Sequence, residues 1–139
     1  MVKISIVYKK ISLIQKNLSR LQKKQHLSKQ DFLSDDDAKD VVLHNLQHAI
    51  QGCIDIAAHV VSDEGWGTPG SLSELFYFLE DHKIIPPELV ENMVPMAGFR
   101  NLVVHQYGDV DYSHVYALYQ NRLGNIEQFV DSIQANFPP

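Results

Sequence analysis

Apolar residues recur at steps of three and four along most of this chain. The first run of such positions consists of Ile4, Val7, Ile11, Ile14, Leu18 and Leu21. Residues at this spacing share one side of an α-helix, which turns by about 100° per residue. A β-strand would instead show alternation with a period of two, and no segment sustains that alternation. The pattern therefore predicts an all-α protein.

Capping residues and helix breakers indicate about five helices. The aspartates at positions 35–37 favour the start of a second long helix, which ends before Gly65. Ser71 and Glu74 have the spacing of a capping box at the start of a third helix. Between the first two helices, residues 26–34 break the pattern, and we expect a turn or a short helical piece there.

Two prolines and an aspartate define the last two predicted helices. Pro87 suits the first turn of the fourth helix, in which Pro95 is expected to produce a kink. Asp111 is expected to cap a fifth helix that continues through Gly124 as a weak point. The predicted core positions after the first helix are Val42, Leu46, Ala49, Cys53, Ile56, Val60, Leu72, Leu75, Phe76, Leu79, Leu89, Met93, Met96, Phe99, Val115, Leu118, Ile126, Phe129 and Ile133. Together the five helices predict an up-down helical bundle.

Length and cysteine content indicate one domain in a reducing compartment. A chain of 139 residues is long enough to bury roughly two-thirds of its unfolded surface, so we expect a single domain over residues 1–139. Cys53 is the only cysteine, which excludes an internal disulfide and fits the cytoplasm. No apolar run approaches the roughly 20 residues that cross a bilayer, and early lysines interrupt any signal-peptide core. We expect a cytoplasmic protein without membrane contact.

Charge is distributed unevenly along the chain. The net charge is −5, yet residues 1–30 contain no acidic residue and eight of the 12 basic ones, namely Lys3, Lys9, Lys10, Lys16, Arg20, Lys23, Lys24 and Lys29. The rest of the chain holds all 17 acidic residues. A basic element of this kind binds a phosphate backbone or an acidic protein surface. The simpler alternative is a solvated helix face.

The segment from Phe99 to Tyr107 carries the functional groups needed to cleave a phosphodiester. Arg100 presents a rigid fork of donors suited to phosphate, and His105 exchanges a proton near neutral pH. Asn101 is expected to bond the phosphate or to hold the histidine ring in one tautomer. These groups predict cleavage of a phosphodiester without a metal or a cofactor.

The spacing of Arg100 and His105 restricts how both reach one substrate. Five residues apart on an ideal helix, they point about 140° away from each other. They converge only if the helix ends between them or if two chains contribute to the site. Since one chain supplies one motif histidine, a two-fold homodimer would also provide both the acid and the base of the reaction.

The motif Arg100-Asn101-x-x-x-His105-x-Tyr107 resembles the R-x4-H-x-Y signature of the HEPN superfamily, and it is most similar to the HepT toxins. Residues 49–57 in the second helix also resemble that branch, and the order of helices agrees over nearly the whole chain. Members of this group are homodimeric, metal-independent ribonucleases. Their partner is a minimal nucleotidyltransferase antitoxin, MntA, which silences the toxin by transferring AMP to the motif tyrosine.

The resemblance implies a role for each residue of the motif. Arg100 and His105 would be catalytic, with Asn101 supporting them, and Tyr107 would be the site of AMP transfer. The implied protein is the toxin of a toxin–antitoxin pair that cleaves transfer RNA or messenger RNA. Its expected partners are RNA, an MntA-like antitoxin and a second copy of this chain.

Each motif residue also has a structural interpretation. His105 would then satisfy a helix C-terminus, Arg100 would pair with an acid such as Asp109, and Tyr107 would be a half-buried aromatic residue. On this alternative the protein is a noncatalytic helical module that binds a nucleotide or a nucleotidyltransferase partner.

Other residues give weaker signals. His44 and His48 have the spacing of a metal-binding pair on a helix, but the sequence places no third ligand beside them, so we expect solvated side chains or members of a hydrogen-bond network. Asp55 lies off the apolar stripe and either supports the active site or faces solvent. Trp66, between two glycines, either contacts a partner or anchors its loop.

Overall fold

The computed structural model describes residues 1–105 and 107–139, and only the backbone of Val104, His105 and Tyr107. Within these residues the chain forms seven α-helices and one 3-10 helix, and it contains no strand. The helices are α1 (Ile4–Gln22), α2 (Lys29–Leu33), α3 (Asp36–Glu64), α4 (Leu72–Asp81), α5 (Pro87–His105), α6 (Tyr112–Asn121) and α7 (Leu123–Asn136), with the 3-10 helix at Tyr107–Asp109. The predicted all-α class is confirmed. Over the described part of the chain, no helix combines the length and the apolar character needed to span a membrane.

The long helix α3 lies at the centre of the bundle. It packs against α1 along much of its length and also contacts the other five helices. The apolar stripes predicted from the sequence form the core, and only Ile4 and Leu72 among those positions are half-buried. Cys53 is fully buried, as its position on the stripe of α3 predicted. The helical period of the sequence therefore identified the core correctly.

Side-chain caps fix the start of three helices where the sequence predicted them. Asp35 Oδ1 accepts the backbone N–H of Ala38 at 3.0 Å, which caps α3. Ser71 Oγ accepts the N–H of Glu74 at 3.3 Å and caps α4. Asp111 caps α6 through its carboxylate. These bonds satisfy backbone donors that have no partner within the helix.

The predicted fifth helix is wrong in one respect, because the structure divides it into α6 and α7. The backbone leaves helical geometry at Arg122, where φ is −120° and ψ is 0°, two residues before the Gly124 that the sequence marks as a weak point. The buried positions nevertheless keep the helical spacing across the break, at Tyr119, Leu123, Ile126, Val130 and Ile133. An uninterrupted stripe gives no sign of such a break.

Polar side chains attach α6 to the turn between α1 and α2. Tyr116 Oη donates to the carbonyl of Leu27 at 2.8 Å, and Tyr119 Oη donates to that of Lys24 at 3.0 Å. In return, Gln25 Nε2 donates to the carbonyl of Tyr119 at 2.9 Å. The short helix α2 lies within the segment where a turn or a short helical piece was expected, and these bonds fix the chain that leads into it.

Candidate functional site

Arg100, Asn101 and His105 of the motif lie in the C-terminal part of α5. The helix continues through Pro95, and its last helical residue is His105. The backbone is therefore helical from Arg100 to His105, which separates the two positions by about 140° around the axis and about 7.5 Å along it. Of the two ways in which these residues could reach one substrate, an end of the helix between them is excluded.

For four residues of this segment, the structure describes no side chain. The side chains of His105 and Tyr107 lie outside the described part of the structure, as do that of Val104 and the whole of Gln106. Their predicted roles in proton transfer and in modification therefore stay predictions. The side chains of Arg100 and Asn101 are described, and the geometry of the site is built from these two.

Buried neighbours hold Arg100 in place on α5. Phe99 and Val103, which precede and follow it on the helix, are both buried in the core. The ring of Phe99 also meets the ring of His114 on α6 edge-on, with centroids 5.1 Å apart. Since both flanking residues face the core, the orientation of this last turn of α5 is fixed by packing.

Arg100 carries a positive charge that the described residues do not neutralise. The residue is partly buried, and its Nε atom is shielded from solvent without a hydrogen-bond acceptor. Within residues 1–105 and 107–139 it forms no ion pair, so the predicted alternative of a salt bridge to Asp109 is absent there. A partly buried guanidinium group with an unpaired Nε–H favours an incoming anion.

A cleft of about 460 Å³ lies between the start of α4 and the middle of α5. Its wall includes Asn101 and Gly98 on α5, opposite Gly70 and Ser71 at the start of α4. Gly98 leaves open space, because a Cβ atom at this position would meet no other atom within 4 Å. The cleft was not predicted from the sequence. The one sequence feature that could have indicated it is Gly98, two residues before the motif arginine.

The polar groups of the cleft are mainly neutral donors and acceptors. The backbone N–H of Gly70 is bonded to the carboxylate of Glu74, and Ser71 Oγ is engaged as the cap of α4. Asn101 is exposed on the opposite wall. With the Glu74 carboxylate at one end, the cleft suits hydroxyl and amide groups better than a phosphate.

Residues 14–133 match the profile of the family described as "Ribonuclease HepT-like". The chain belongs to this HepT-like family. The match covers the described site on α5 and both walls of its cleft, and it confirms the resemblance that the motif indicates.

Individual relatives of this HepT-like chain are known from sequence and from structure. It is 36% identical to the mRNA nuclease HepT of Shewanella oneidensis over 107 residues. These aligned residues make up 77% of each of the two chains. It is 33% identical over 96 residues to the tRNA nuclease HepT of Aphanizomenon flos-aquae, covering 69% of this chain and 65% of the relative. It is also similar to the solved structure of the tri-AMPylated Shewanella oneidensis HEPN toxin in complex with MNT antitoxin, with a TM-score of 0.84 and 33% identity over 97% of this chain and 99% of that one.

The histidine pair of the HepT-like chain lies away from the described motif residues, on the face of α3 towards α1. The rings of His44 and His48 are exposed, and their centroids are 4.3 Å apart. Partial burial lowers the pKa of His48, and the neighbouring His44 lowers it further. Among the described residues, no group of three or more histidine, cysteine or acidic side chains could hold a metal ion.

Asp55 and Trp66 make structural contacts in this HepT-like chain. Asp55 pairs with Lys10 of α1 at 3.0 Å and accepts a hydrogen bond from Gln51 Nε2 at 2.7 Å, so it connects α3 to α1. The ring of Trp66 stacks on that of His82 at 3.8 Å with an angle of 5° between the planes. This stacking favours the loop-anchor interpretation of Trp66.

Proposed function

We propose that this HepT-like chain is the toxin of a toxin–antitoxin pair and acts as a metal-independent endoribonuclease. The similarity to two named HepT nucleases and to a HEPN toxin supports the class of activity. The observation that carries the proposal is the guanidinium group of Arg100, which is partly buried and pairs with no carboxylate among the described residues. An unneutralised arginine at the site of the motif is what a phosphodiester substrate needs.

The proposed reaction uses the substrate's own 2′-hydroxyl as the nucleophile. Its oxygen forms a bond to phosphorus while the bond from phosphorus to the 5′-oxygen breaks, which leaves a cyclic phosphate and a free 5′-hydroxyl. A His105 imidazole accepts the proton of the 2′-hydroxyl, and an imidazolium donates a proton to the leaving 5′-oxygen. Arg100 binds the non-bridging oxygens as their negative charge increases. Asn101 holds the adjoining nucleotide from the wall of the cleft.

The proposed active form is a homodimer with one cleavage site at the interface. The backbone positions of Arg100 and His105 lie about 140° apart around α5, which favours a site that takes these residues from two chains. A two-fold axis near the end of α5 brings two arginines and two histidines to one cleft. One histidine then serves as the base and its symmetry mate as the acid.

The proposed antitoxin is an MntA-like nucleotidyltransferase that adds AMP to Tyr107. The similar Shewanella oneidensis toxin is described as tri-AMPylated and in complex with an MNT antitoxin, which supports this partner. Tyr107, the last residue of the motif, begins the 3-10 helix and lies seven residues after Arg100 in the sequence. An AMP group there would place an anionic phosphate near the cation that the substrate needs, and it would block binding through both charge and size.

Cleavage of RNA in the presence of a chelator tests the activity. Purified protein is incubated with EDTA and with transfer RNA or messenger RNA as separate substrates, because the two relatives are named for different RNA classes. We expect cleavage by the parent protein and none by Arg100→Ala or His105→Ala. Arg122→Ala and His26→Ala are the matched controls, since both residues are exposed outside the motif. Absence of cleavage under all conditions would contradict the proposal and favour a noncatalytic module.

Transfer of AMP tests the proposed regulation. The protein is incubated with an MntA-like nucleotidyltransferase and ATP, and its mass is measured. We expect one or more AMP units on the parent protein and none on Tyr107→Phe. Tyr77→Phe is the matched control, because Tyr77 is 49% exposed on α4. Equal labelling of Tyr107→Phe and the parent would contradict Tyr107 as the acceptor.

A further inference from the structure

The exposed side of α1 carries a second regular pattern besides its buried stripe. Six exposed residues recur there at steps of three and four, and we name them the α1 stripe: Ile6, Lys9, Leu13, Lys16, Arg20 and Lys23. Four of them are basic, and two are aliphatic side chains exposed by 41% and 50%. Four of the eight basic residues near the N-terminus therefore form a line on one face of the helix.

The cations of the α1 stripe have no acidic partners within the part of the chain that the structure describes. Of the basic residues in positions 1–30, only Lys10 forms an ion pair there, with Asp55 on α3. From Lys9 to Lys23 the stripe extends about 21 Å along the helix. A row of free cations on this length matches several successive phosphates of a nucleic acid strand.

We propose that the α1 stripe binds the phosphate backbone of the RNA outside the cleavage site, an inference that rests on the proposed function. Outside residues 1–30 the chain has 17 acidic and four basic residues, so most of the molecule repels RNA. Binding of a long RNA then needs a basic track, and the α1 stripe is that track. Leu13 and Ile6 interrupt the line of charges and offer apolar contact to sugars and bases.

The surface continues into a groove between α1 and α3. This groove has a volume of about 170 Å³, and Leu13 of the stripe lines it together with Asn17, His44 and His48. The two exposed imidazole rings provide flat faces beside the track. A nucleotide that passes along the stripe therefore meets aromatic and amide groups at its side, as in other sites that bind single strands by stacking.

Binding of RNA at varied salt tests the α1 stripe. The stripe variant combines Lys9→Gln, Lys16→Gln and Arg20→Gln, and the control variant combines Lys29→Gln, Lys83→Gln and Arg122→Gln. All six residues are exposed, and both variants change the net charge equally. A His105→Ala background prevents cleavage while the affinity for a long single-stranded RNA is measured.

The expected result is a smaller dependence of affinity on salt in the stripe variant. Loss of three phosphate contacts reduces the slope of log affinity against log salt by about 2 for a single strand. Between about 50 and about 200 mM salt, the parent then loses about 20-fold more affinity than the stripe variant, and the control variant behaves as the parent. Equal slopes for the stripe and control variants would overturn the proposal.

Two further measurements separate this inference from the proposed function and from a protein-docking role. With an intact motif, the stripe variant should lose cleavage efficiency on the long RNA relative to a trinucleotide, which has too few phosphates to occupy the whole stripe. A parent protein that binds RNA through the stripe but cleaves none would contradict the proposed function alone. A stripe variant that binds RNA normally but fails to bind the nucleotidyltransferase would overturn the inference and assign α1 to that partner.

Discussion

The Nε atom of Arg100 destabilises the fold, because it is buried without a hydrogen-bond acceptor. Burying a polar atom such as Nε without an acceptor costs about 1–3 kcal/mol. The residue is partly buried, and its guanidinium group lacks a carboxylate partner among the described residues. A side chain retained for stability would show the opposite pattern. This arrangement is typical of a residue whose acceptor is supplied by a ligand or by a second chain.

Replacement of Arg100 by methionine separates stability from activity. In Arg100→Met the stem is kept and the unsatisfied Nε is removed, so we expect the free energy of unfolding to stay equal or to rise by about 1 kcal/mol. Cleavage of RNA should fall by at least about 100-fold, because the cation at the phosphate is lost. Urea unfolding and a cleavage assay provide the two measurements. The exposed Arg122→Met is the matched control, and a clear loss of stability in Arg100→Met alone would indicate a structural arginine.

His48 gives stability a dependence on pH. Partial burial and the neighbouring His44 hold its folded pKa below the ordinary value of 6.5. Below that pH the unfolded chain binds more protons at this site than the folded chain does, so the free energy of unfolding falls on acidification. The free energy of unfolding stops falling once the pH is below the pKa of His48 in the folded protein.

Removal of either histidine should reduce that dependence. We compare the change in the free energy of unfolding between about pH 7.5 and about pH 5.5 for the parent, His48→Gln and His44→Gln. His48→Gln removes the titrating group, and His44→Gln removes the second cause of its lowered pKa. Both variants should lose less stability on acidification than the parent. The same loss in all three proteins would show that this pair does not contribute.

At the scale of elements, the most informative arrangement is that of α4 and α5 around the cleft beside Asn101. Gly98 is exposed in the middle of α5, where glycine destabilises a helix by about 0.5–1 kcal/mol relative to alanine. No tertiary contact requires a glycine there, since an added Cβ meets nothing within 4 Å. Instead, the absence of a side chain at Gly98 keeps space open on the wall of the cleft.

Substitutions of increasing size at Gly98 test whether the cleft receives RNA. Gly98→Ala should raise the free energy of unfolding by about 0.5–1 kcal/mol and leave cleavage largely intact. Gly98→Leu should keep that stability but lower kcat/KM for RNA by about tenfold or more, because its side chain occupies the cleft. Gly124 of α7 is the matched control, as a Cβ there also meets nothing. If Gly98→Leu cleaves RNA as well as Gly124→Leu does, the cleft is not part of the substrate site.

Local signals predicted most of the elements, but they missed the break at Arg122 and the cleft beside Asn101. The apolar stripes and the caps at Asp35, Ser71 and Asp111 depend on neighbours within a few residues, and the structure confirms them. The break at Arg122 is invisible because the apolar spacing continues across it. The cleft beside Asn101 joins residues from α4 and α5 that are far apart in sequence, so no local pattern could indicate it.

At the scale of the whole molecule, charge and symmetry decide how the proposed site is assembled. The acidic body repels RNA, and the basic face of α1 provides a track for it. The sequence placed Arg100 and His105 five residues apart but left open whether the helix ends between them. The structure makes α5 helical up to His105, which excludes an end of the helix between the two positions and is consistent with the proposed contribution of a second chain.

Mixed dimers distinguish the possible arrangements of the two chains. Subunits with different tags are co-expressed, and dimers that contain one of each are purified and assayed for cleavage of RNA. The first mixed dimer combines a parent subunit with a His105→Ala subunit. A shared site needs both histidines, so its activity should fall well below one-tenth of the parent dimer, given that acid–base catalysis is worth about 10²–10⁴ in rate. Retention of half the activity would instead mean two independent sites.

A second mixed dimer carries Arg100→Ala on one subunit and His105→Ala on the other. It distinguishes the two ways in which independent sites could be built from two chains. If each of two sites takes its arginine from one chain and its histidine from the other, one intact site is left and half the activity survives. If each chain forms a complete site alone, both sites are damaged and activity is lost. The shared site predicts loss in both mixed dimers, and only this pair of results agrees with two histidines acting as base and acid on one phosphate. Control dimers with two parent subunits and both tags must retain full activity.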